Sequence, residues 1–177
     1  MRYLCLLCLL FGAVSVSTAS AADDIAASTL TKVGQVAPDF TATALNGETY
    51  TLSKLRGRVV VLSFFATWCP PCKSELPHIE KELWQAMRES GIIVLAAARE
   101  EAAATVAPFA KQMGLTFPVI PDPQREIFAR YATGYIPRLY LLAPDGTIAA
   151  QSVGFDEKEF AVIVRQARAL LPPQSAK

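Results

Sequence analysis

Cys69-Pro70-Pro71-Cys72 is the stretch whose residue types and spacing could do chemistry. Two cysteines separated by two residues can close a small disulfide and open it again. A helix starting beneath them would favour the thiolate of the outer one, because the positive end of the helix dipole faces it. Read this way, Cys69 is the more exposed, attacking sulfur, and Cys72, one turn further in, resolves the mixed disulfide formed with a substrate. The blander readings are a structural disulfide or half of a zinc site. Zinc asks for about four ligands, whereas beyond the first 21 residues the sequence has only this cysteine pair and His78.

A strand must deliver such a pair and a helix must receive it. Val59, Val60, Val61 and Leu62, followed by Phe64 and Phe65, form a β-branched and aromatic run of strand length with too little helical spacing for an amphipathic helix. That predicts a buried central strand. Pro70 and Pro71 fall in the first turn of the following helix, where a missing amide and a fixed φ cost least. After Cys72, Leu76, Ile79, Leu83 and Met87 recur at three- and four-residue spacings, the buried stripe of a helix that Gly91 ends. Pro77 lies inside it as a predicted kink.

The rest of the chain supplies partners for these two elements. Phe40 to Leu45 and Thr49 to Leu52 flank Asn46-Gly47, a hairpin signal. Ile92 to Ala98 predicts a second buried strand, Glu100 to Met113 a helix bent at Pro108, Phe117 to Ile120 a short strand, and Gln124 to Ala132 a helix. Leu139 to Leu142 and Thr147 to Val153 make a closing hairpin around Pro144-Asp145-Gly146, and Phe160 to Leu171 a last amphipathic helix.

With these elements placed, the chain resembles the thioredoxin-fold proteins and, among them, the TlpA/ResA-type thiol:disulfide oxidoreductases of the redoxin, AhpC/TSA-related group. The likeness is carried by APDF (Ala37 to Phe40), LSKLRGRVVVLSFFATWCPPC (Leu52 to Cys72), Glu75, Pro77 and YIPRLYLLAPDGTI (Tyr135 to Ile148). It implies an α/β, thioredoxin-like fold: a central mixed sheet flanked by helices, with an N-terminal hairpin and a helix-strand insertion between Cys72 and Pro137. The same resemblance implies a cis Ile136-Pro137 bond beside the disulfide, with the backbone of Ile136 pairing to an extended substrate segment. An ordinary trans proline opening an edge strand is the competing reading.

Several residues near the pair are read partly through this resemblance. Ser63 stands where thioredoxins carry a buried Asp that moves the proton of the inner thiol, so another group must serve. Glu75, three residues after Cys72, matches the Cys-x-x-Cys-x-x-Glu pattern of ResA-like proteins and is the candidate for tuning the thiols or shuttling a proton. Spacing alone reads it as a solvated helix residue. Trp68 is expected over the disulfide, contributing with Pro70 and Pro71 to a substrate lip, unless it simply packs. Arg138 departs from the small hydroxylated residue usual after the proline and would favour an acidic client. His78 is expected on a solvated helix face.

Export is written at the N-terminus. Residues 1–21 contain Arg2, an apolar run from Tyr3 to Val16 and a small-residue stretch through Ala19-Ser20-Ala21, the pattern of a secretory signal peptide cut after Ala21 or Ala22. The run is shorter than the roughly 20 residues of a spanning helix; an uncleaved anchor tethering the chain to the inner membrane is the alternative. Cys5 and Cys8 fall within this segment. Residues 22–35 read as a flexible leader, 36–172 as the thioredoxin-like domain and 173–177 as a tail. Setting Arg2 aside leaves 16 basic residues against 16 acidic, so no basic field draws nucleic acid or a membrane surface. In the periplasm the pair would end as an idle disulfide unless a partner supplied electrons. A membrane donor of the DsbD/CcdA type is therefore implied, with disulfide- or thiol-bearing client proteins on the other side, a monomeric state, and no cofactor or metal.

Direction and class follow from the prolines and the spacing. Pro70 and Pro71 both lack the amide that would stabilise a Cys69 thiolate, which disfavours the reduced form and predicts a reductase or isomerase rather than a strong thiol oxidase. Peroxiredoxins share the fold but need a Thr three residues before the reactive Cys, where this chain has Ala66, and no proline stands at Leu62. A Sco-like copper-binding chaperone expects Cys-x-x-x-Cys and a distant histidine, against the shorter spacing and His78 here. A pure docking module is the non-redox alternative. Apocytochrome c in cytochrome c biogenesis, a cytochrome oxidase subunit, a cell-envelope or sporulation protein, or a general thiol pool in cell redox homeostasis would all suit as clients.

Overall fold

In the computed structural model, which describes residues 20–172, the elements run α1 (Ala21–Ala27), β1 (Thr41–Thr43), β2 (Thr49–Thr51), β3 (Val60–Phe65), α2 (Pro70–His78), β4 (Ile93–Arg99), α3 (Ala103–Gln112), β5 (Val119–Asp122), β6 (Arg138–Leu142), β7 (Ile148–Val153) and α4 (Glu157–Leu170). Most of the segment read as a signal peptide, residues 1–19, and the segment read as a tail, from 173, lie outside the described residues. Five strands form one mixed sheet in the order β5-β4-β3-β6-β7. β3 pairs in parallel with β4, and β4 with β5, while β6 runs antiparallel to both β3 and β7. β1 and β2 make the separate N-terminal hairpin. The fold is thioredoxin-like, a mixed sheet with helices and the expected hairpin.

The central strand is buried at every position because both faces of the sheet are covered. Side chains alternate across a strand, so Val61 and Phe65 face the cluster built with Leu76, Ile79 and Leu83 of the active-site helix, Val106 of α3 and Phe160 and Ile163 of α4. Val60, Leu62 and Phe64 face the opposite cluster, which Leu52, Phe128, Tyr131 and Tyr140 complete. Ser63 thereby shares the α2 side of the sheet with Val61 and Phe65, one polar residue in an apolar face.

The stripe read from the sequence is entirely inside: Leu76, Ile79 and Leu83 are fully buried and Met87 nearly so. Pro77 has no amide to give, and past it the helix widens into a π-helical stretch, Ile79–Gln85, before Gly91 ends it in a left-handed conformation at φ 89°.

Four expectations need correction. Gln124 to Ala132 contains only a 3-10 turn, Phe128–Arg130, because the buried Asp122 carboxylate takes the amide protons of Ile127 and Phe128 that a helix would have used. The strand placed at Phe117 to Ile120 lies instead at Val119–Asp122. α3 starts at Ala103 rather than Glu100, whose φ is 62°. Residues 22–35 are docked rather than flexible: after α1, Leu30 N–H donates to the Tyr131 carbonyl (3.0 Å), Gly34 N–H to Ile148 O (2.9 Å) and Thr31 Oγ1 to Gln151 Oε1 (3.1 Å). Low hydropathy hid this because the segment is held by hydrogen bonds instead of apolar burial.

Candidate active site

Cys69 is the N-cap of α2, and Pro70 occupies the first helical position. Cys69 and Cys72 form a disulfide with Cα atoms 5.3 Å apart. Of the pair, Cys69 keeps 3 % of its surface exposed and Cys72 none, so Cys69 is the member an incoming thiolate meets first. Of the amides over that sulfur, Cys72 N–H donates to it at 3.3 Å; Pro70 and Pro71, exposed in the first turn, have none to offer.

The opposite wall is the loop leading into β6. The Ile136–Pro137 bond is cis, and the Ile136 carbonyl oxygen lies 3.9 Å from Cys69 Sγ. Pro137 is buried and Ile136 half-buried. Two aromatics flank this meeting point in sequence, Trp68 beside Cys69 and Tyr135 beside Ile136, and they are 62 % and 47 % exposed. The structure therefore brings Cys69, Cys72, Ile136 and Pro137 together, with Trp68, Pro70 and Pro71 turned toward solvent around them.

Glu75 is almost fully buried, one helical turn below Cys72 and on its face of α2. Its contact is Ser63, whose hydroxyl donates to Glu75 Oε2 at 3.3 Å. Burial without a cation raises the Glu75 carboxyl from its ordinary 4.5 to about 8, an effect the Ser63 bond only partly offsets. Glu75 is thus a protonated carboxylic acid at neutral pH, not a solvated helix residue. His78 stays partly open to solvent on its helix face, with one side of its ring against Phe155 and Phe160, centroids 5.0 and 5.8 Å away, and Nδ1 meeting Glu82 at 2.7 Å. Arg138, expected to meet acidic clients, is fully buried with its guanidinium turned away from solvent, so it offers no charge to a docking protein.

The fold places one further acid at the site that sequence reasoning missed. Glu101 accepts from both Thr67 N–H (2.7 Å) and Thr67 Oγ1 (2.6 Å), fixing the turn that carries Trp68 and Cys69. The parallel register Phe65↔Ala98 explains it, since the chain leaves β3 and β4 side by side. Glu101→Ala would strand both Thr67 donors, and urea denaturation of the oxidised protein is expected to show a loss of about 2 kcal/mol.

Residues 33–151 match the family model described as AhpC/TSA family. The chain belongs to that family. A Geobacillus kaustophilus relative named thiol-disulfide oxidoreductase ResA is 37% identical over 131 residues, 74% of this chain and 75% of the relative. Among solved structures, a candidate protein disulfide isomerase from Bacteroides thetaiotaomicron aligns with TM-score 0.79 at 38% identity over 81% of this chain and 92% of its own. A secreted Mycobacterium tuberculosis disulfide oxidoreductase aligns with TM-score 0.61 at 25% identity, covering 72% of this chain and 95% of its own. Within the AhpC/TSA family this chain is a thiol-disulfide oxidoreductase of the ResA type, and Cys69–Cys72 is its redox pair.

Proposed function

We propose that this oxidoreductase is exported and works as a reductase of protein disulfides. The observation that carries the reading is the outer sulfur of the pair, Cys69 Sγ, facing the Ile136 backbone across 3.9 Å while Cys72 lies fully buried behind it. An extended client strand laid along Ile136 and Pro137 would bring its own disulfide to that sulfur. The Cys69 thiolate attacks one client sulfur, forming a mixed disulfide and releasing the other as a thiolate that takes a proton from water. Cys72 then gives up its proton, and its thiolate attacks Cys69 Sγ, releasing the second client thiolate. Two electrons have passed to the client, and the enzyme is left as the disulfide seen here.

Glu75 serves the inner sulfur. Held protonated while the disulfide is closed, it can protonate Cys72 when an incoming dithiol opens the bond, and the carboxylate left behind can take that proton back when Cys72 next attacks. Regeneration needs a dithiol donor, for which a membrane protein of the DsbD/CcdA type is the natural class. Export is supported by the signal-like pattern before residue 22 and by a relative that is itself secreted.

Direction rests on the two prolines. With one amide on Cys69 in place of the several a helix start can supply, the thiolate is weakly stabilised and the dithiol is the better electron donor. Equilibration against glutathione or dithiothreitol, followed by tryptophan fluorescence, is expected to give a potential nearer thioredoxin's (about −270 mV) than that of a strong oxidant (about −120 mV). A value at the oxidising end would overturn the reductase reading and favour an oxidase.

A further inference from the structure

One buried arginine ties the docked N-terminal segment to the loop that faces the disulfide. Arg138 follows Pro137 directly and folds back beneath the loop, its Nε donating to the carbonyls of Gly134 (2.9 Å) and Tyr135 (3.0 Å). Its other two nitrogens reach across the molecule, Nη1 to Thr29 Oγ1 (2.9 Å) and Nη2 to Ser28 Oγ (2.7 Å). Each of those hydroxyls donates its own proton to the Ile25 carbonyl at 2.7 Å, which leaves its lone pairs for the cation. These four uncharged oxygens are the hydrogen-bond partners of a guanidinium removed from water, so each charge-assisted bond matters.

The backbone repeats the tie. Thr133 N–H donates to Ser28 O at 2.9 Å, and Leu30 N–H to Tyr131 O at 3.0 Å. Residues 28–30 therefore hold the start of the loop directly and its middle through Arg138. That middle includes Tyr135, whose φ of 60° is a left-handed conformation that a side chain-bearing residue keeps only when its surroundings hold it. The next residue is Ile136, which faces Cys69.

We propose that Ser28 and Thr29, acting through Arg138, are positioning residues for client capture. They fix where the Tyr135–Pro137 backbone stands over the disulfide, and so set the rate of exchange with protein disulfides while leaving exchange with small disulfides alone. A small disulfide needs only the exposed edge of Cys69; a protein client must also lay its chain along the loop. The inference rests on the reading that clients pair with Ile136 and Pro137.

The test uses the reduced, full-length protein with insulin as the protein disulfide and glutathione disulfide as the small one. Ser28→Ala/Thr29→Ala is expected to slow insulin reduction about tenfold, with the glutathione rate within about twofold of wild type and the midpoint potential unchanged. Thr29→Ser, which keeps the hydroxyl, should retain the insulin rate that Thr29→Ala loses. Equal losses toward both substrates, no loss toward either, a shifted potential, or failure of the double variant to fold would each overturn the proposal, because the segment would then be a general structural element or irrelevant to the loop. Pro137→Ala tests the underlying reading separately. If it leaves insulin reduction untouched, clients do not use this loop at all; if it slows insulin while Ser28→Ala/Thr29→Ala does not, only the positioning role fails.

Discussion

Cys69→Ser is expected to lower disulfide exchange by at least about a thousandfold, because it removes the nucleophile itself. Cys72→Ser is expected to leave the first step intact and block the second. The two outcomes differ because burial has divided the labour: Cys69 retains an exposed edge and Cys72 has none. In Cys72→Ser the client should therefore remain covalently attached to Cys69, visible as a band on non-reducing electrophoresis that dithiothreitol dissolves. In Cys69→Ser no such band should form, since the remaining thiol lies beneath the first turn of α2, out of a client's reach. Equal trapping by both variants would mean that the helix opens enough to expose Cys72. Persistence of function in Cys69→Ser would mean that the protein acts by docking instead of by thiol chemistry. The trapped protein would also identify the client by its mass.

How much of this site could be read from residues alone depends on the range of the interaction involved. β3 and the start of α2 were legible because their signals are local: a β-branched run, then prolines whose dihedral and missing amide suit only a first turn. The stripe from Leu76 to Met87 was legible for the same reason, and its burial agrees. Gln124 to Ala132 misled because Asp122, a single side chain outside the pattern, takes the amides on which the helical reading relied. Arg138 and its partners were beyond local reading altogether. Arginine is rarely buried, its hydroxyl partners are 109 and 110 residues away in sequence, and no periodicity marks a polar segment that docks by hydrogen bonding. Glu75 falls between these cases. Its spacing from Cys72 was visible, but its burial follows from Ser63 on the sheet face below, which only the assembled α2–β3 contact reveals.

That buried acid gives the largest expected effect on stability. Below about pH 4.5 Glu75 carries its proton whether the chain is folded or not. Between 4.5 and about 8 the unfolded chain releases it while the folded protein, where burial opposes the charge, keeps it. The folded state then holds more protons than the unfolded one, so stability falls as pH rises through this window and levels off above it. At about 1.4 kcal/mol per pH unit, the contribution lost across the window is on the order of 5 kcal/mol. Glu75→Gln keeps the shape of the protonated acid and a polar partner for Ser63 but cannot ionise. Urea denaturation of the oxidised wild type and variant at pH 5, 7 and 9 should therefore show a difference that grows with pH in favour of the variant, other titrations cancelling between the two. The variant's chemistry should move the opposite way: with no proton to hand to Cys72, dithiothreitol should open its disulfide more slowly than that of wild type at pH 7, and the gap should close as pH passes about 8, where the wild-type acid loses its own proton. A constant stability difference at all three pH values would place Glu75 in contact with water and remove it from the proton path. A growing difference with unchanged opening kinetics would keep the acid buried and protonated but assign the proton of Cys72 to solvent.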